Sequence, residues 1–413
     1  MLLAAPPPLP QVPAATSPPP VLLAPRPPRA QRKNSTLCAS PFRPHVRAPE
    51  RFRSWSSAYS VLRDARNAGV LPQGARDTRF STILSSVEPK TLATYSAGLL
   101  RFHEYCDEQN VPESDRMPAS DFLLSSFVAH YAGKVSRSCV ENWTAGLQLW
   151  HNLHDAPWHG ARALCAVSKA VAKKVPPTSV RPRRPPVTVE HIRCLRRHLD
   201  LSNTCDAAVY AAAVFAFRGC CRLGEVVTPL RAPFDPSRQV SRASPVTFGR
   251  NPEGVSYTSI RLPWTKTAGV RGAEVVLTSS ADDICPVLAL RQHFSVNYDV
   301  PEDAPLFAWT AEPGSWKPMT RELLLSRCTE IWAANGLDKV QGHSFRIGGA
   351  TDLLLRGVPP AVVAMQGRWS SRAFLQYWRN VEVILPTFIA RARAGVTMES
   401  LGAAVNRMEV ELV

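Results

Sequence analysis

The sequence predicts a mainly α-helical protein with a small antiparallel β-sheet, built as an N-terminal helical bundle followed by an α+β domain. Its 413 residues exceed one typical domain and suit two, each large enough to bury its own core. Over residues 80–175 apolar side chains recur every three or four positions, which is the period of an α-helix. Beyond residue 187 strand-like runs at 255–262 and 273–278 interrupt the helical patterns, which indicates a mixed domain.

Residues 1–54 are predicted to form a disordered tail rich in proline and arginine. The first 50 residues contain 14 of the 38 prolines. Such a segment stays extended because it cannot bury enough apolar area to fold. The basic run R-P-P-R-A-Q-R-K has two open interpretations. It could be an import signal or phosphate-binding arm, or it could be only a solvated linker.

Four amphipathic helices are predicted between residues 80 and 175, and helices joined by short loops form a small bundle. One of them, D-F-L-L-S-S-F-V-A-H-Y-A, is expected to begin at Ser120 or Asp121. The other three carry the periodic sets Leu92, Tyr95, Leu99 and Phe102; Val140, Trp143, Leu147 and Trp150; and Leu164, Val167, Val171 and Val175. Aromatic stripes at helical spacing are usually core, so the bundle alone indicates no function.

A basic, proline-rich linker is predicted over residues 173–186. It holds five basic residues and no acid, and its prolines forbid a continuous helix. Such a linker could lie along a phosphate backbone or act as a plain stiff spacer. The sequence favours neither interpretation.

The second domain is predicted over residues 187–395, with helices at 189–199 and 205–218. The runs S-Y-T-S-I-R-L and A-E-V-V-L flank W-T-K-T-A-G-V-R-G, which predicts a β-hairpin with a long basic tip. Residues 396–413 are expected to form a C-terminal tail or helix.

The formal charge of +16 predicts a polyanionic partner. The segment 1–53 holds eight Lys and Arg residues against one acid, so the rest of the chain still carries +9. Nucleic acid is the first candidate, because basic side chains that neutralise phosphates release counterions and so contribute affinity.

Several other classes of protein are disfavoured. The ten cysteines include no C-x-x-C pair, which argues against a disulfide framework or a structural zinc site and favours reduced thiols inside the cell. Prolines interrupt the apolar opening M-L-L-A-A before a signal sequence could form. No run of 18 apolar residues occurs, so no membrane span is expected.

Two motifs near the C-terminus contain groups that can surround a phosphodiester: G-H-S-F-R-I-G-G-A-T and G-R-W-S-S-R-A-F-L-Q-Y. They supply an imidazole (His343), a guanidinium (Arg346), an indole (Trp369) and a phenol (Tyr377). Arginine offers paired donors to phosphate oxygens, histidine moves protons near neutral pH, and a phenolate is an oxygen nucleophile.

These motifs resemble those of the tyrosine recombinases, also called the phage-integrase family. The wording is most similar to the versions carried by DIRS-like and Crypton-like eukaryotic mobile elements. The resemblance is specific over residues 215–380 and suggestive over 80–185. It implies that the helical bundle is the family's SAM-like core-binding domain and that residues 187–395 are its catalytic domain.

The resemblance also assigns site residues in the family's order. Arg222, in G-C-C-R-L-G-E-V, matches the first arginine, with Glu225 as a supporting group that orients it, and Lys266, in L-P-W-T-K-T, matches the hairpin lysine that protonates the leaving 5′-oxygen. His343, Arg346, Trp369 and Tyr377 complete the set. Taken singly, each has an ordinary alternative: a surface cation, a solvated turn lysine, or aromatic helix packing. Six matches in order are a strong signal.

The implied activity is DNA cleavage and rejoining through a 3′-phosphotyrosyl bond, which needs no cofactor and no metal. Double-stranded DNA would be the partner, the protein would assemble on it as a homo-oligomer, and the location would be the nucleus. Three alternatives remain open. One is an element-derived DNA-binding protein that has lost catalysis, and the second is an activity like that of type IB topoisomerases. The third is a helical protein-interaction module with little affinity for DNA.

Overall fold

The computed structural model describes residues 37–180, 182–229 and 233–369, together with residues 371, 375 and 384. The chain divides into two compact units, one ending at Arg181 and one beginning at Pro182. This division falls within the segment 173–186, where α7 ends and a single 3₁₀ turn, Pro177–Ser179, follows. Each unit is described by itself.

In the described residues of the first unit, all the regular secondary structure is helical. Its helices are α1 (Arg51–Ser54), α2 (Ala58–Ala68), α3 (Gln73–Ser85), α4 (Pro89–Glu108), α5 (Asp121–His130), α6 (Arg137–Leu153) and α7 (Arg162–Lys173). The four helices predicted from apolar periodicity are α4 to α7. Helices α1 to α3 lie upstream of the apolar-periodic sets.

Local chemistry sets where these helices begin. Ser120 is the N-cap of α5, and its hydroxyl accepts a hydrogen bond from the Leu123 N–H at 3.1 Å. The carboxylate of Asp121 accepts from three backbone N–H groups at the start of α7, at 2.9–3.1 Å. Ser120 and Asp121 therefore set the start of α5, and Asp121 also holds the start of α7 against it.

Two glycines let α4 and α6 pack at very short distance. A Cβ atom on Gly98 would lie 2.5 Å from the Cα atom of Trp143, and one on Gly146 would lie 2.5 Å from the carbonyl oxygen of Tyr95. Any larger residue would force the backbones apart. Around this crossing lies the core of the first unit, in which Leu99, Phe102 and Trp150 are fully buried.

The prediction of disorder over residues 1–54 is wrong for residues 37–54. This segment contains a 3₁₀ turn, Ala48–Glu50, and helix α1. Phe52 is fully buried in the core of the unit, and Arg43 forms a 2.8 Å ion pair with Glu113. The prediction rested on the proline content of the segment. It did not foresee that the burial of Phe52 and the ion pair of Arg43 with Glu113 hold the segment in place. Residues 1–36 lie outside the described residues.

The second unit is mixed. Its helices are α8 (Val189–His198), α9 (Thr204–Arg218), α10 (Leu223–Val226), α11 (Pro286–Val296), α12 (Arg321–Ala334), α13 (Ser344–Leu355) and α14 (Pro360–Gly367). Its strands are β1 (Val246–Arg250), β2 (Ser256–Leu262), β3 (Ala273–Thr278), β4 (Trp309–Glu312) and β5 (Ser315–Lys317). The prediction of a mainly α protein with small antiparallel sheets is confirmed.

The larger sheet has the strand order β1-β2-β3, with both pairs antiparallel. The predicted hairpin is β2 and β3, with Ile260 opposite Val275 in the register. Its tip is tighter than predicted, because Thr265 and Gly269 exchange two backbone hydrogen bonds at 2.8 and 3.2 Å. Strand β1 and the small β4-β5 hairpin were not predicted.

Helix α9 is the centre of the second unit, since nearly all its residues are buried. Helix α13 makes two close glycine contacts: a Cβ on Gly349 would lie 1.9 Å from the carbonyl oxygen of Phe217 in α9, and one on Gly348 would lie 1.9 Å from that of Val187, which precedes α8. These contacts fix the start of α13, which carries His343 and Arg346, relative to the end of α9, which leads to Arg222.

An amide side chain on α14 joins two other elements. The Nε2 atom of Gln366 donates to the carbonyl oxygen of Arg218 at 3.0 Å and to that of Val276 at 2.9 Å. The end of α9, strand β3 and α14 are thereby linked. No helix in the described part of the chain is long and apolar enough to cross a bilayer.

Candidate phosphate-binding site

Arg222 lies at a sharp turn that follows α9. The helix ends at Arg218, Cys220 adopts a left-handed backbone with φ of 47°, and Arg222 is the N-cap residue of α10. Gly219 has no room for a larger side chain, because a Cβ there would lie 2.8 Å from the Cγ1 atom of Val275. The turn therefore holds the backbone of Arg222 against the sheet, and its side chain stays 27% exposed.

Glu225 is a buried carboxylate shared by two arginines. Its Oε1 accepts from the Nη1 atom of Arg222 at 2.8 Å. Its Oε2 accepts from the backbone N–H of Arg222 and from the Nη2 atom of Arg368, both at 3.0 Å. Burial alone would raise the pKa of Glu225, but the charge of Arg368 and the hydrogen bonds of Arg222 hold that pKa below its ordinary value. Glu225 is therefore an anchor for arginines and a poor proton donor.

Arg346 is a fully buried guanidinium. Its Nη1 atom donates to the carbonyl oxygen of Cys220 at 2.8 Å, and its Cζ atom lies 4.1 Å from the ring centroid of Trp369. Among the described residues, its Nε and Nη2 atoms have no hydrogen-bond partner. Burial, followed by repulsion from Arg222, lowers the pKa of Arg346 to about 10. A buried cation with unused donors is suited to bind an anion.

Trp369 lies against Arg346 and Gly367. Its side chain is 8% exposed, and a Cβ on Gly367 would lie 1.7 Å from the Cζ3 atom of its ring. The ring therefore supports the guanidinium of Arg346 through a cation–π contact. This support comes in addition to the hydrogen bond to phosphate that the resemblance implies for Trp369.

His343 is half-buried at the N-cap position of α13. Burial lowers its pKa to about 4, and repulsion from Arg184, Arg346 and Arg222 adds to this shift. The imidazole is therefore neutral at physiological pH and able to accept a proton or a hydrogen bond. An anion bound among these arginines would reduce the repulsion and raise the pKa of His343.

An NMR titration of the His343 ring in the free protein should give a midpoint near pH 4, because the surrounding cations disfavour the imidazolium form. Arg184→Gln, which removes one of these cations, should move the midpoint upward. Arg196→Gln, which removes an exposed arginine on α8, serves as the control and should leave it unchanged. A midpoint near 6.5 in the wild-type chain would contradict this electrostatic description.

The structure brings together five of the predicted site residues, namely Arg222, Glu225, His343, Arg346 and Trp369. Lys266 is exposed in the tight turn of the β2-β3 hairpin. Within the described part of the chain, the Lys266 side chain forms no hydrogen bond or ion pair that would hold it at the cluster. Tyr377 lies outside the described residues, as do most positions from 370 to 395 and all of 396–413.

Two further arginines at this site were not predicted. Arg368 bonds Glu225 and the carbonyl oxygen of Gly219, both at 3.0 Å. Arg321, at the start of α12, is exposed, and its Nη2 atom would lie 3.2 Å from a Cβ on Gly342, beside His343. The G-R-W motif contained Arg368, but 143 residues separate it from Glu225. No local pattern could reveal that pair.

Comparisons with known proteins give structural likenesses of low identity. No protein-family model matches the chain, and no curated protein matches it. The chain is similar to the XerH site-specific recombinase bound to a palindromic difH substrate, with 13% identity, a TM-score of 0.48, and coverage of 83% of this chain and 93% of that one. It is also similar to the Tn1549 transposon integrase in complex with transposon right end DNA, with 15% identity, a TM-score of 0.39, and coverage of 75% and 92%. For a Flpe–Holliday junction complex the values are 12%, 0.33, and 77% and 87%. These structural neighbours are site-specific recombinases and an integrase.

Proposed function

We propose that this protein binds DNA and cleaves and rejoins its strands as a tyrosine recombinase. The observation that carries the proposal is the buried guanidinium of Arg346, with two unused donor atoms, beside Arg222 and a neutral His343. The only carboxylate bonded to this cluster among the described residues is Glu225, which two arginines share. The site therefore keeps excess positive charge, and a phosphodiester would neutralise it.

In the proposed reaction the hydroxyl oxygen of Tyr377 attacks the phosphorus of a DNA phosphodiester. A phosphotyrosyl bond forms at the 3′ side, and the bond to the 5′-oxygen breaks. The tyrosine proton passes to His343, and Lys266 donates a proton to the departing 5′-oxygen. Attack by a 5′-hydroxyl of another strand reverses these steps. One phosphate ester replaces another, so the reaction needs no energy from a nucleotide.

The arginines would stabilise the pentacoordinate phosphorane, where negative charge on the equatorial oxygens is greatest. A preorganised donor of this kind contributes roughly 3–4 kcal/mol to a transition state. Burial strengthens the interaction, because charges are screened less inside the protein than in water. The Nε and Nη2 atoms of Arg346 have no hydrogen-bond partner among the described residues, so bonding to a phosphate would break no bond of theirs within the protein. Neutral His343 would provide general acid–base assistance, which commonly contributes about 10²–10⁴-fold.

The finer assignments follow the sequence motifs. We propose that the protein is of the DIRS-like or Crypton-like kind, that its substrate is double-stranded DNA, that it assembles on DNA as a homo-oligomer, and that it acts in the nucleus. The first unit would be the core-binding domain.

A nicked suicide duplex tests the proposal, because loss of the short cleaved fragment traps the covalent intermediate. The wild-type chain should form an adduct that survives denaturation, and Tyr377→Phe should form none, since the nucleophilic oxygen is gone. Tyr298→Phe is the matched control, because Tyr298 is 82% exposed in the same unit and should leave adduct formation unchanged. An adduct that persists in Tyr377→Phe would refute the assignment.

The same experiment distinguishes the alternatives. A wild-type chain that binds duplex DNA in a salt-dependent way but forms no adduct would be a catalytically silent DNA-binding protein. Relaxation of supercoiled DNA without strand exchange would indicate an activity like that of type IB topoisomerases.

A further inference from the structure

We propose that Arg368 is a positioning residue that keeps Arg222 available for the phosphate. It does so by holding the second carboxylate oxygen of Glu225. This inference rests on the proposed function of the site.

The hydrogen bonds around Glu225 divide its two oxygens. The guanidinium of Arg222 reaches only Oε1, through Nη1 at 2.8 Å. Oε2 is occupied by the backbone N–H of Arg222 and by Nη2 of Arg368. A carboxylate facing a single arginine favours a paired, two-bond geometry. Without Arg368, both oxygens of Glu225 could accept hydrogen bonds from the Arg222 guanidinium. This paired contact would neutralise the charge of Arg222 and leave fewer of its donors for a phosphate.

The charges support the same role. Arg222 and Glu225 alone sum to zero, whereas Arg368 leaves this group of three with one net positive charge. The side chain of Arg368 is 10% exposed and that of Glu225 is 5% exposed, so solvent screens this balance only weakly. Arg222, at 27% exposed, is the member that a ligand can reach.

The backbone of Arg368 is a second, independent observation. Its φ of 57° and ψ of 45° lie in the left-handed region at the C-cap of α14, where glycine is the favoured residue. Placing an arginine there costs free energy and is tolerated when the surroundings fix the conformation. Here the fixing contacts come from the side chain itself, which donates to the carbonyl oxygens of Gly219 and Gln366 at 3.0 and 2.9 Å. The hydrogen bonds of the Arg368 side chain therefore hold its own backbone in the left-handed conformation.

Arg368 also links two parts of the site. Its bonds to Gly219 and to the Cys221 Sγ atom, the latter at 3.4 Å, attach the segment before Trp369 to the turn before Arg222. Arg346, which lies over Trp369, bonds the carbonyl oxygen of Cys220 in the same turn. Arg368 therefore attaches α14 to the turn that leads into Arg222.

A double-mutant cycle on the full chain tests the inference. The rate of adduct formation at saturating nicked DNA would be measured for wild type, Arg368→Met, Arg222→Ala and the double variant. Arg368→Met should lower the rate by about 10- to 100-fold, as is typical when a group that orients a ligand-binding side chain is removed. In the Arg222→Ala background the same change should cost less than about threefold, because Arg368 acts through Arg222. Arg368→Lys, which keeps the charge, should recover part of the rate.

Arg327→Met is the matched control, because Arg327 is ion-paired to Asp206 and Glu330 in the same unit and has no contact with Glu225. Its effect should be equal in both backgrounds. An Arg368→Met effect of equal size in both backgrounds would overturn the inference, since a purely structural role predicts additivity. If Arg368→Met fails to fold by circular dichroism, Arg368→Lys completes the same cycle with the same criterion.

Failure of the proposed function has a separate outcome. If the wild-type chain forms no adduct, the recombinase proposal fails, and the cycle is then measured on equilibrium binding of intact duplex DNA at low salt. Non-additive binding supports the role of Arg368, and additive binding overturns it.

Discussion

Arg346→Met should greatly slow adduct formation on nicked DNA, while the folded protein stays as stable as wild type or becomes more stable. Two nitrogen atoms of the buried guanidinium, Nε and Nη2, have no hydrogen-bond partner among the described residues. Each unsatisfied buried donor lowers the stability of the fold by roughly 1–3 kcal/mol. Methionine has a similar length, carries no charge and packs against Trp369. The change loses one hydrogen bond to Cys220. The rate should fall by about 10²–10³-fold, the range for loss of one transition-state donor.

The control for this prediction is Arg218→Met, which removes a largely buried arginine that forms ion pairs with two carboxylates. Arg218 bonds Asp352 at 2.9 Å and Asp282 at 2.5 Å. Its loss leaves Arg356 as the cation paired with both carboxylates and should destabilise the fold by about 1–3 kcal/mol. Urea denaturation would compare the two variants. An Arg346→Met protein destabilised as strongly as Arg218→Met would show that Arg346 is structural.

The first unit should lose stability as the pH falls below about 6.5, because three histidines are buried around Trp150. Burial lowers the pKa of His151 and of His154 to about 4. Burial, with added repulsion from Arg43 and Arg116, also holds the pKa of His103 well below its ordinary value. Unfolded histidine titrates near 6.5. Between pH 6.5 and 4 the unfolded state therefore binds more protons than the folded state, so acid favours unfolding. The loss should reach a few kcal/mol by pH 4.

His103→Phe tests this prediction directly. His103 is fully buried, and neither ring nitrogen has a hydrogen-bond partner among the described residues. Its ring packs edge-on against Trp55, Phe102 and Trp150. Phenylalanine should keep this packing, leave stability at pH 7 equal or higher, and flatten the dependence of the melting temperature on pH. His45→Phe, at an exposed position in the same unit, is the control. An unchanged pH dependence in His103→Phe would contradict the prediction.

Elements with strong internal periodicity could be predicted from the sequence. Helix α9, with its continuous apolar run, and strands β2 and β3, with their alternation, lie within one residue of the predicted ranges. Strand β1 reads V-T-F-G-R, has a glycine as its fourth residue and is mostly exposed, so it carries no alternating pattern. Its position depends on pairing with β2, which is a tertiary interaction.

The same limit applies to the site. Arg222, His343 and Arg346 could be found because local motifs mark them. The partners that tune them could not, because Arg368 meets Glu225, and Arg346 meets Cys220, across 143 and 126 residues. The order of residues 37–54 was missed for a related reason. Proline content describes the local chain, whereas Phe52 is ordered by the helices it packs against.

Gln366 has one amide nitrogen with two hydrogens, and both are committed to carbonyl oxygens, one in α9 and one in β3. Gln366 therefore attaches the β2-β3 hairpin, which carries Lys266 at its tip, to α14, the helix that precedes Trp369. A tilt of the hairpin large enough to carry its lysine toward a phosphate either draws α14 along or breaks the bond to Val276. Motion of Lys266 and placement of the Trp369 ring beside Arg346 are in this way mechanically coupled.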